Sequence, residues 1–158
     1  MEILTSRFGK ISFSSKEVYY FSKGIYGFPQ EKRYLFLKLK EYEPFLWFQS
    51  IEKPELAIPL VDPTLFFPDY KIDILEIALE ELKATDLKRL EVYVIVTLTS
   101  MIEKAQANLL APIMINPAKK LGKQVVLKKS DYKIQHSIFC ELEKKSLQKN
   151  RKNSWNKE

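Results

Sequence analysis

The side chains that most often carry out catalysis or bind metals are scarce in this sequence. His136 is the only histidine and Cys140 the only cysteine. At a spacing of four residues they would share one face of a helix, where they could contact one metal ion. Two ligands do not make a metal site, and there is no second His or Cys to complete one. We expect surface or packing roles for both residues and predict no metal site.

Other catalytic arrangements are equally poorly supported. A Ser-His-Asp or Cys-His mechanism would have to use His136, which lies close to the end of the predicted fold. Asp62 and Asp69 could be imagined as an acid/base pair, but each adjoins a proline, and Asp beside Pro is an ordinary turn pair. The four glycines, at positions 9, 24, 27 and 122, are too far apart for a phosphate-binding loop. We therefore predict no enzymatic activity, no catalytic residue and no cofactor.

A short proline-bounded loop is better suited to binding than to catalysis. Residues 62–70 read DPTLFFPDY, and the two prolines stiffen a segment that carries Leu65, Phe66 and Phe67 side by side. A stiff loop loses little conformational entropy when a partner docks, which favours a role as an interface anchor. Alternatively, these side chains cap one end of the fold, because consecutive residues usually divide between the interior and the surface.

The most distinctive stretch is residues 108–127, NLLAPIMINPAKKLGKQVVL. It predicts two strands, 109–115 and 125–127, joined by a basic turn in which Gly122 supplies backbone freedom. Pro112 lacks an N–H, which fits an edge strand or a bulge. Asn116 and Pro117 end the first strand. The stretch contains no nucleophile or metal ligand, so it indicates a shaped surface rather than an active site.

Length and composition predict one small cytoplasmic domain. The 158 residues are 46% hydrophobic and 13% aromatic, enough for one core. The apolar runs are strand-length and far too short for a membrane span. The first residues lack a basic leader followed by an apolar block, so we expect no signal peptide. A single cysteine excludes an internal disulfide and suits a reducing compartment.

The net charge of +6 is concentrated near the C-terminus. Residues 144–157 carry six basic side chains and no acidic ones, whereas residues 1–143 carry 20 basic and 19 acidic side chains. The body is therefore nearly neutral. We expect residues 140–158 to be a basic, flexible and solvated tail rather than a nucleic-acid-binding arm.

Short strand-like runs separated by turn residues recur along the body. Only residues 74–82 show a clear helical pattern, with Leu75, Ala78, Leu79 and Leu82 on one face. A second helical turn is predicted at 101–105. The fold class expected is mainly β: a compact barrel-like sheet, mixed or antiparallel, with one or two short helices. Residues 1–139 would form this single domain.

Several motifs together resemble the FliW family of bacterial flagellar assembly factors. The matching segments keep their order over residues 3–138: RFG at 7–9, GIYGF at 24–28, PFLWFQS at 44–50, VDPTLFFPDY at 61–70, VIVT at 94–97, ANLLAPIMINP at 107–117, GKQVVL at 122–127 and Asp131-Tyr132. Tyr26 stands where the family pattern has proline. The tail after Phe139 exceeds the usual family length.

The resemblance implies a barrel-like fold without catalysis and two protein partners. Members of the family bind the carbon storage regulator CsrA, a small RNA-binding dimer that represses flagellin translation, and they also bind flagellin. We expect the same of this protein, with no direct nucleic-acid or membrane partner. The candidate partner-binding residues are Phe45, Trp47, Leu65, Phe66, Phe67, Asn108, Asn116 and Lys123.

A direct RNA-binding β-barrel is the alternative. Aromatic residues of the run 45–48 could stack on bases, and lysines between 119 and 133 could contact phosphates. The same aromatic residues could equally form the core. Lys128 and Lys129 would point to opposite faces of a strand, which leaves few aligned charges for tight binding.

Overall fold

Strands dominate the fold. The computed structural model describes residues 1–73, 76–128 and 130–139. In this part of the chain there are eleven strands and one α-helix: β1 (Glu2–Thr5), β2 (Gly9–Ser12), β3 (Val18–Tyr20), β4 (Arg33–Leu37), β5 (Leu46–Ser50), β6 (Ala57–Val61), α1 (Glu76–Glu81), β7 (Glu91–Thr97), β8 (Gln106–Ala107), β9 (Ile113–Asn116), β10 (Leu121–Gln124) and β11 (His136–Ser137). Short 3-10 turns connect several of them.

Seven of the strands close into a barrel. They follow the order β7-β6-β5-β4-β3-β10-β9, and β9 pairs back onto β7, with Tyr93 opposite Ile113. The pairings are antiparallel except for the one between β10 and β3, where Leu121 lies opposite Tyr20. Strands β8 and β11 extend the sheet from the end of β7, and β1 and β2 form a separate hairpin. The predicted mainly β, barrel-like mixed sheet with a short helix is confirmed.

Aromatic rings fill the barrel. Phe48 lies opposite Ile58 of β6, so both side chains point to the same face, inward. Tyr34 lies opposite Ser50, two residues from Phe48, and therefore points inward as well. The ring of Phe21 lies 5.4 Å from that of Tyr34 and 5.4 Å from that of Phe48, both in edge-to-face geometry. Such pairs add about 0.5–1.5 kcal/mol each beyond the area they bury. The interior is therefore a packed aromatic core.

A second core lies on the outer face of the sheet. Val61 and Val94 are paired on β6 and β7 and point away from the barrel interior. Phe66 and Tyr70, from the loop after β6, and Ile138 pack onto them. We refer to this group as the outer cluster. It explains why β6 and β7 are apolar on both faces, since each face contacts its own core.

The N-terminal hairpin covers another part of the barrel's outside. Phe8, in its turn, contacts the indole of Trp47 on β5, with ring centroids 5.4 Å apart. The guanidinium carbon of Arg7 lies 4.7 Å above the same indole, and Tyr42 flanks it. Trp47 is consequently only 2% exposed.

The stretch that follows β9 differs from its prediction. The second strand is Leu121–Gln124, not 125–127, and the turn occupies residues 117–120. Lys120, with φ of 54°, supplies the left-handed backbone that we had assigned to Gly122. Gly122 lies within β10, where a Cβ atom would stand 2.2 Å from the ring of Phe21. The glycine is needed for close packing against an interior ring and not for a turn.

The predicted helix forms, but it is short. Helix α1 covers Glu76–Glu81, and the predicted first positions, 74 and 75, lie outside the described residues. Ala78 and Leu82 are buried against Met114 and Val125, in agreement with the apolar stripe. The 3-10 turn Ile102–Lys104 corresponds to the second predicted helical turn. The predicted tail, residues 140–158, and Lys129 also lie outside the described residues.

Substituting Gly122 should therefore strain the barrel interior. Gly122→Ala is expected to lower the free energy of unfolding by about 1–3 kcal/mol, because the added methyl overlaps the Phe21 ring. Combining it with Phe21→Leu should cost less than the sum of the two single changes, since the smaller side chain makes room. Urea denaturation of the four proteins measures this. Simple additivity would show that the two residues do not compete for space.

Candidate functional site

The proline-bounded loop after β6 presents one apolar side chain to solvent. Asp62 caps its 3-10 turn, Pro63–Leu65: the carboxylate accepts hydrogen bonds from the Thr64 backbone N–H at 2.9 Å and from the Thr64 hydroxyl at 2.7 Å. Leu65 is 51% exposed, whereas Phe66 is 5% exposed and anchors the loop in the outer cluster. The loop is thus held rigidly while Leu65 stays accessible.

A groove of about 330 Å³ runs beside this loop. It is lined by apolar side chains, two phenols and two carboxylates: Asp62, Pro63, Thr64, Tyr70, Ile72, Glu91, Val92 and Tyr93. The Tyr93 hydroxyl donates a hydrogen bond to the Glu91 carboxylate at 2.7 Å. The Tyr70 hydroxyl donates to the Leu109 carbonyl at 2.6 Å. We refer to this surface as the acidic groove.

Both phenols of the acidic groove remain uncharged at neutral pH. Burial raises the pKa of Tyr93, and the hydrogen bond to Glu91 and the charge of Asp62 raise it further. Burial also raises the pKa of Tyr70, with a smaller contribution from Tyr132. The lining of the groove therefore carries negative charge, which comes from the carboxylates of Asp62 and Glu91. Apolar walls with fixed negative charge can bind a cationic or amphipathic group.

His136 packs within the fold, as predicted. Its Nε2 atom accepts a hydrogen bond from the Lys133 backbone N–H at 2.8 Å, and its ring lies 5.8 Å from that of Phe67. Its predicted companion, Cys140, lies outside the described residues. Among residues 1–73, 76–128 and 130–139, no group of three or more His, Cys, Asp and Glu side chains is arranged to hold a metal ion. In the same ranges, no helix has the length and apolar character needed to cross a membrane.

Asn116 and Lys123, two of the predicted partner-binding residues, hold helix α1 against the barrel. Asn116 is 3% exposed, and its side-chain amide donates to the Leu82 carbonyl at 2.8 Å, just after the helix. The Lys123 ammonium forms an ion pair with Glu81, which also pairs with Lys23 at 3.3 Å. The hydrogen bond from Lys123 lowers the pKa of the Glu81 carboxyl. Both predicted residues thus already have partners within the chain.

The other predicted residues lie in three different places. Phe45 and Phe67 are half-buried and pack against the outer cluster, near Leu65 and Phe66. The Asn108 side chain accepts a hydrogen bond from the Ala111 backbone N–H at 3.1 Å, which shapes the connection before β9. Trp47 lies beneath the N-terminal hairpin. The structure therefore brings Phe45, Leu65, Phe66 and Phe67 together but separates them from Trp47, Asn116 and Lys123.

The aromatic run on which the RNA-binding alternative depends is largely internal. Trp47 is buried by the hairpin and Phe48 is fully buried inside the barrel. Phe45 is half-buried against the outer cluster. Strand β5 therefore offers no row of exposed rings on which bases could stack.

Sequence patterns did not reveal several residues of the groove and of the exposed surface. Glu91 and Tyr93 line the acidic groove, and their spacing of two along β7 is the signal that could have placed them on one face. Leu98, Met101 and Ile102 are exposed apolar residues in the connection between β7 and β8. Their sequence resembles an ordinary helical turn, and only the burial pattern reveals their exposure.

Comparisons with known proteins agree with this fold. The family model described as "FliW protein" matches residues 2–138. A flagellar assembly factor FliW from Geobacillus thermodenitrificans (strain NG80-2) is 40% identical over 141 residues, covering 89% of this chain and 97% of the relative. Its counterpart from Natranaerobius thermophilus is 41% identical over 143 residues, with 88% and 93% covered. A crystal structure of the flagellar assembly factor FliW superimposes with a TM-score of 0.82 at 38% identity, covering 87% of this chain and 96% of that one.

The fold defines a small, closed β-barrel protein that presents a rigid apolar loop and an acidic groove on its surface. The comparisons make the family specific. This chain belongs to the FliW family of flagellar assembly factors.

The two neighbouring loop residues should respond differently to truncation. Phe66→Ala is expected to lower the free energy of unfolding by about 3–5 kcal/mol, because it leaves a cavity in the outer cluster. Leu65→Ala should change it by less than about 0.5 kcal/mol, since its side chain is half exposed. Chemical denaturation of both variants measures the difference. Equal losses would mean that Leu65 also serves the core.

Proposed function

We propose that this protein is a non-enzymatic flagellar assembly factor that binds the translational regulator CsrA and flagellin. By binding CsrA it relieves the repression of flagellin mRNA translation, and free flagellin displaces CsrA from it. Membership of the FliW family supports the role in flagellar assembly. The two partners are those that the family resemblance implies. A cytoplasmic location follows from this role, because CsrA acts on mRNA.

The observation that carries the proposal is the rigid loop with its exposed Leu65. Interface hot spots are side chains that are held in place by well-packed neighbours. Leu65 meets this description, because Asp62 caps the turn beneath it and Phe66 fixes the loop in the outer cluster. Holding the anchor in place before binding reduces the entropy lost on association. We therefore propose that Leu65 contacts CsrA, with the half-buried Phe45 and Phe67 beside it.

The buried members of the predicted set take a different role in this proposal. Trp47, Phe66 and Asn116 are each no more than 5% exposed. Phe66 supports the loop from beneath, whereas Trp47 packs under the N-terminal hairpin and Asn116 holds helix α1. Asn108 shapes the neighbouring loop, and Lys123 is committed to Glu81. Substituting these residues would alter binding only by altering the fold.

A gel-shift titration tests this function. CsrA should retard flagellin leader RNA, and this protein should restore the mobility of free RNA without a supershift of its own. Leu65→Ala should require about tenfold more protein for the same effect, a loss of about 1.4 kcal/mol of binding free energy. Leu4→Ala is the matched control: Leu4 is 75% exposed on the N-terminal hairpin, and its variant should behave like the unchanged protein.

Two outcomes of that titration would contradict the proposal. A stable complex with RNA in the absence of CsrA would indicate a direct RNA-binding protein. Equal potency of the Leu65→Ala and Leu4→Ala variants would exclude Leu65 from the contact. Adding flagellin should restore the CsrA-dependent shift. Failure to do so would remove flagellin from the proposed exchange.

A further inference from the structure

The chain continues the barrel ladder for a few residues beyond β10, and there its second edge is free. The backbone N–H groups of Val125 and Leu127 donate to carbonyls of the segment 110–112 at 3.0 and 2.8 Å, which extends the antiparallel register of β9 and β10. Because these two residues turn their backbone groups towards 110–112, the N–H and C=O of Val126 point the opposite way. Neither group has a hydrogen-bond partner among the described residues.

A cavity of about 280 Å³ lies beside this free edge, between residues of 22–26 and of 122–128. It opens where β3 and β10, which pair in parallel, separate from each other. The chain after β3 turns away at Gly24, with φ of 65°, and the Tyr26 backbone N–H donates to the side chain of Gln124 at 2.9 Å. The free backbone groups of Val126 therefore face a cavity and not a neighbouring strand. We refer to this cavity as the basic wedge.

Positive charge surrounds the basic wedge. Its lining includes Lys23, Lys123 and Lys128 but no carboxylate. Glu81, which lies outside the lining, forms ion pairs with Lys23 and Lys123, so one carboxylate faces two ammonium groups. Lys128 forms no ion pair with a described residue. The Lys23 side chain is 73% exposed, and ion pairs at such exposed positions exchange partners at little cost in free energy.

The free edge and the lysines together fit an extended acidic segment of a partner protein. The backbone of such a segment supplies an acceptor for the Val126 N–H and a donor for its C=O, whereas a phosphate group can only accept. Carboxylates complement the lysines, and an apolar side chain could rest beside Val126 and Tyr26, which are 44% and 64% exposed. A second copy of this chain would bring its own lysines to the same edge, which opposes self-pairing.

We propose that the basic wedge binds an extended acidic segment of a partner protein by strand addition. The backbone of the segment pairs with Val126, and its carboxylates contact Lys23 and Lys128. The wedge shares no lining residue with the acidic groove, and Leu65 is not part of it. This binding therefore stands independently of the function proposed above.

An NMR titration of the full-length ¹⁵N-labelled protein tests the strand addition. The probe is a peptide of about eight residues in which Glu and Val alternate, a length within the usual range of strands. It should shift the amide signals of Gln124, Val126 and Lys128 and leave that of Leu4 on the N-terminal hairpin unchanged. Hydrogen exchange at the Val126 amide should slow by about tenfold or more at saturation, because a free edge N–H becomes hydrogen-bonded.

Charge variants provide the matched control. Lys23→Gln/Lys128→Gln should weaken the affinity for the peptide about fivefold, as expected for the loss of two exposed ion pairs. Lys16→Gln/Lys104→Gln removes the same charge from exposed positions outside the wedge and should leave the affinity unchanged. A peptide with Lys in place of Glu should cause no shifts at the wedge.

Four results would overturn the proposal. The peptide could leave the signals of Gln124, Val126 and Lys128 where they are. It could shift them without slowing exchange at the Val126 amide, which would mean a contact through charge alone. The Lys16→Gln/Lys104→Gln variant could lose as much affinity as the wedge variant. Lastly, a uridine oligonucleotide of the same length could shift the same signals at lower concentration than the peptide, which would make the wedge a nucleic-acid site.

Discussion

The pairing of β7 with β9 is the constraint on which the rest of this structure depends. It joins the two ends of the seven-strand sheet, with Glu91 to Tyr93 opposite Ile115 to Ile113. Closure removes the exposed edges that an open sheet of this order would leave. It also encloses the aromatic interior, in which Phe21, Tyr34 and Phe48 pack edge to face. The close approach of Phe21 to Gly122 shows how little spare volume the closed barrel leaves.

Closure also determines where the molecule can bind other groups. Because side chains fill the barrel interior, other groups can bind only on its outer face. Three elements pack on that face: the N-terminal hairpin on Trp47, helix α1 on Met114, and the loop 62–70 on Val94. The loop 62–70 forms the candidate site, because it presents Leu65 and borders the acidic groove. We therefore expect binding to involve the surface formed by this loop and the acidic groove, which packs on the outside of the barrel.

The acidic groove and the exposed Leu65 lie on neighbouring parts of one surface. In the proposed function Leu65 is a small apolar anchor, and area alone does not produce affinity. A partner bound there would also meet the carboxylates of Asp62 and Glu91, and such charge contacts favour basic partners and weaken with salt.

The sequence by itself determined the elements and the family. Alternation and turn residues located β4, β5, β6 and β7, and the apolar stripe at Ala78 and Leu82 located α1, because these signals arise from neighbours within a few residues. The ordered motifs from 7 to 132 were specific enough to identify the FliW resemblance, which the comparisons confirmed. The scarcity of His and Cys likewise argued for a binding surface before any geometry was known.

Only the tertiary structure decided which side chains are accessible. Leu65, Phe66 and Phe67 are equally apolar in sequence, yet one is half exposed and one is buried, because the capped turn rotates successive side chains towards and away from the outer cluster. Trp47 is buried by a hairpin about 40 residues earlier in the chain, and Gly122 is required by a ring about 100 residues away. The acidic groove combines residues of two separate segments, 62–72 and 91–93. Such contacts depend on strand pairing over long sequence separations, which local periodicity does not encode.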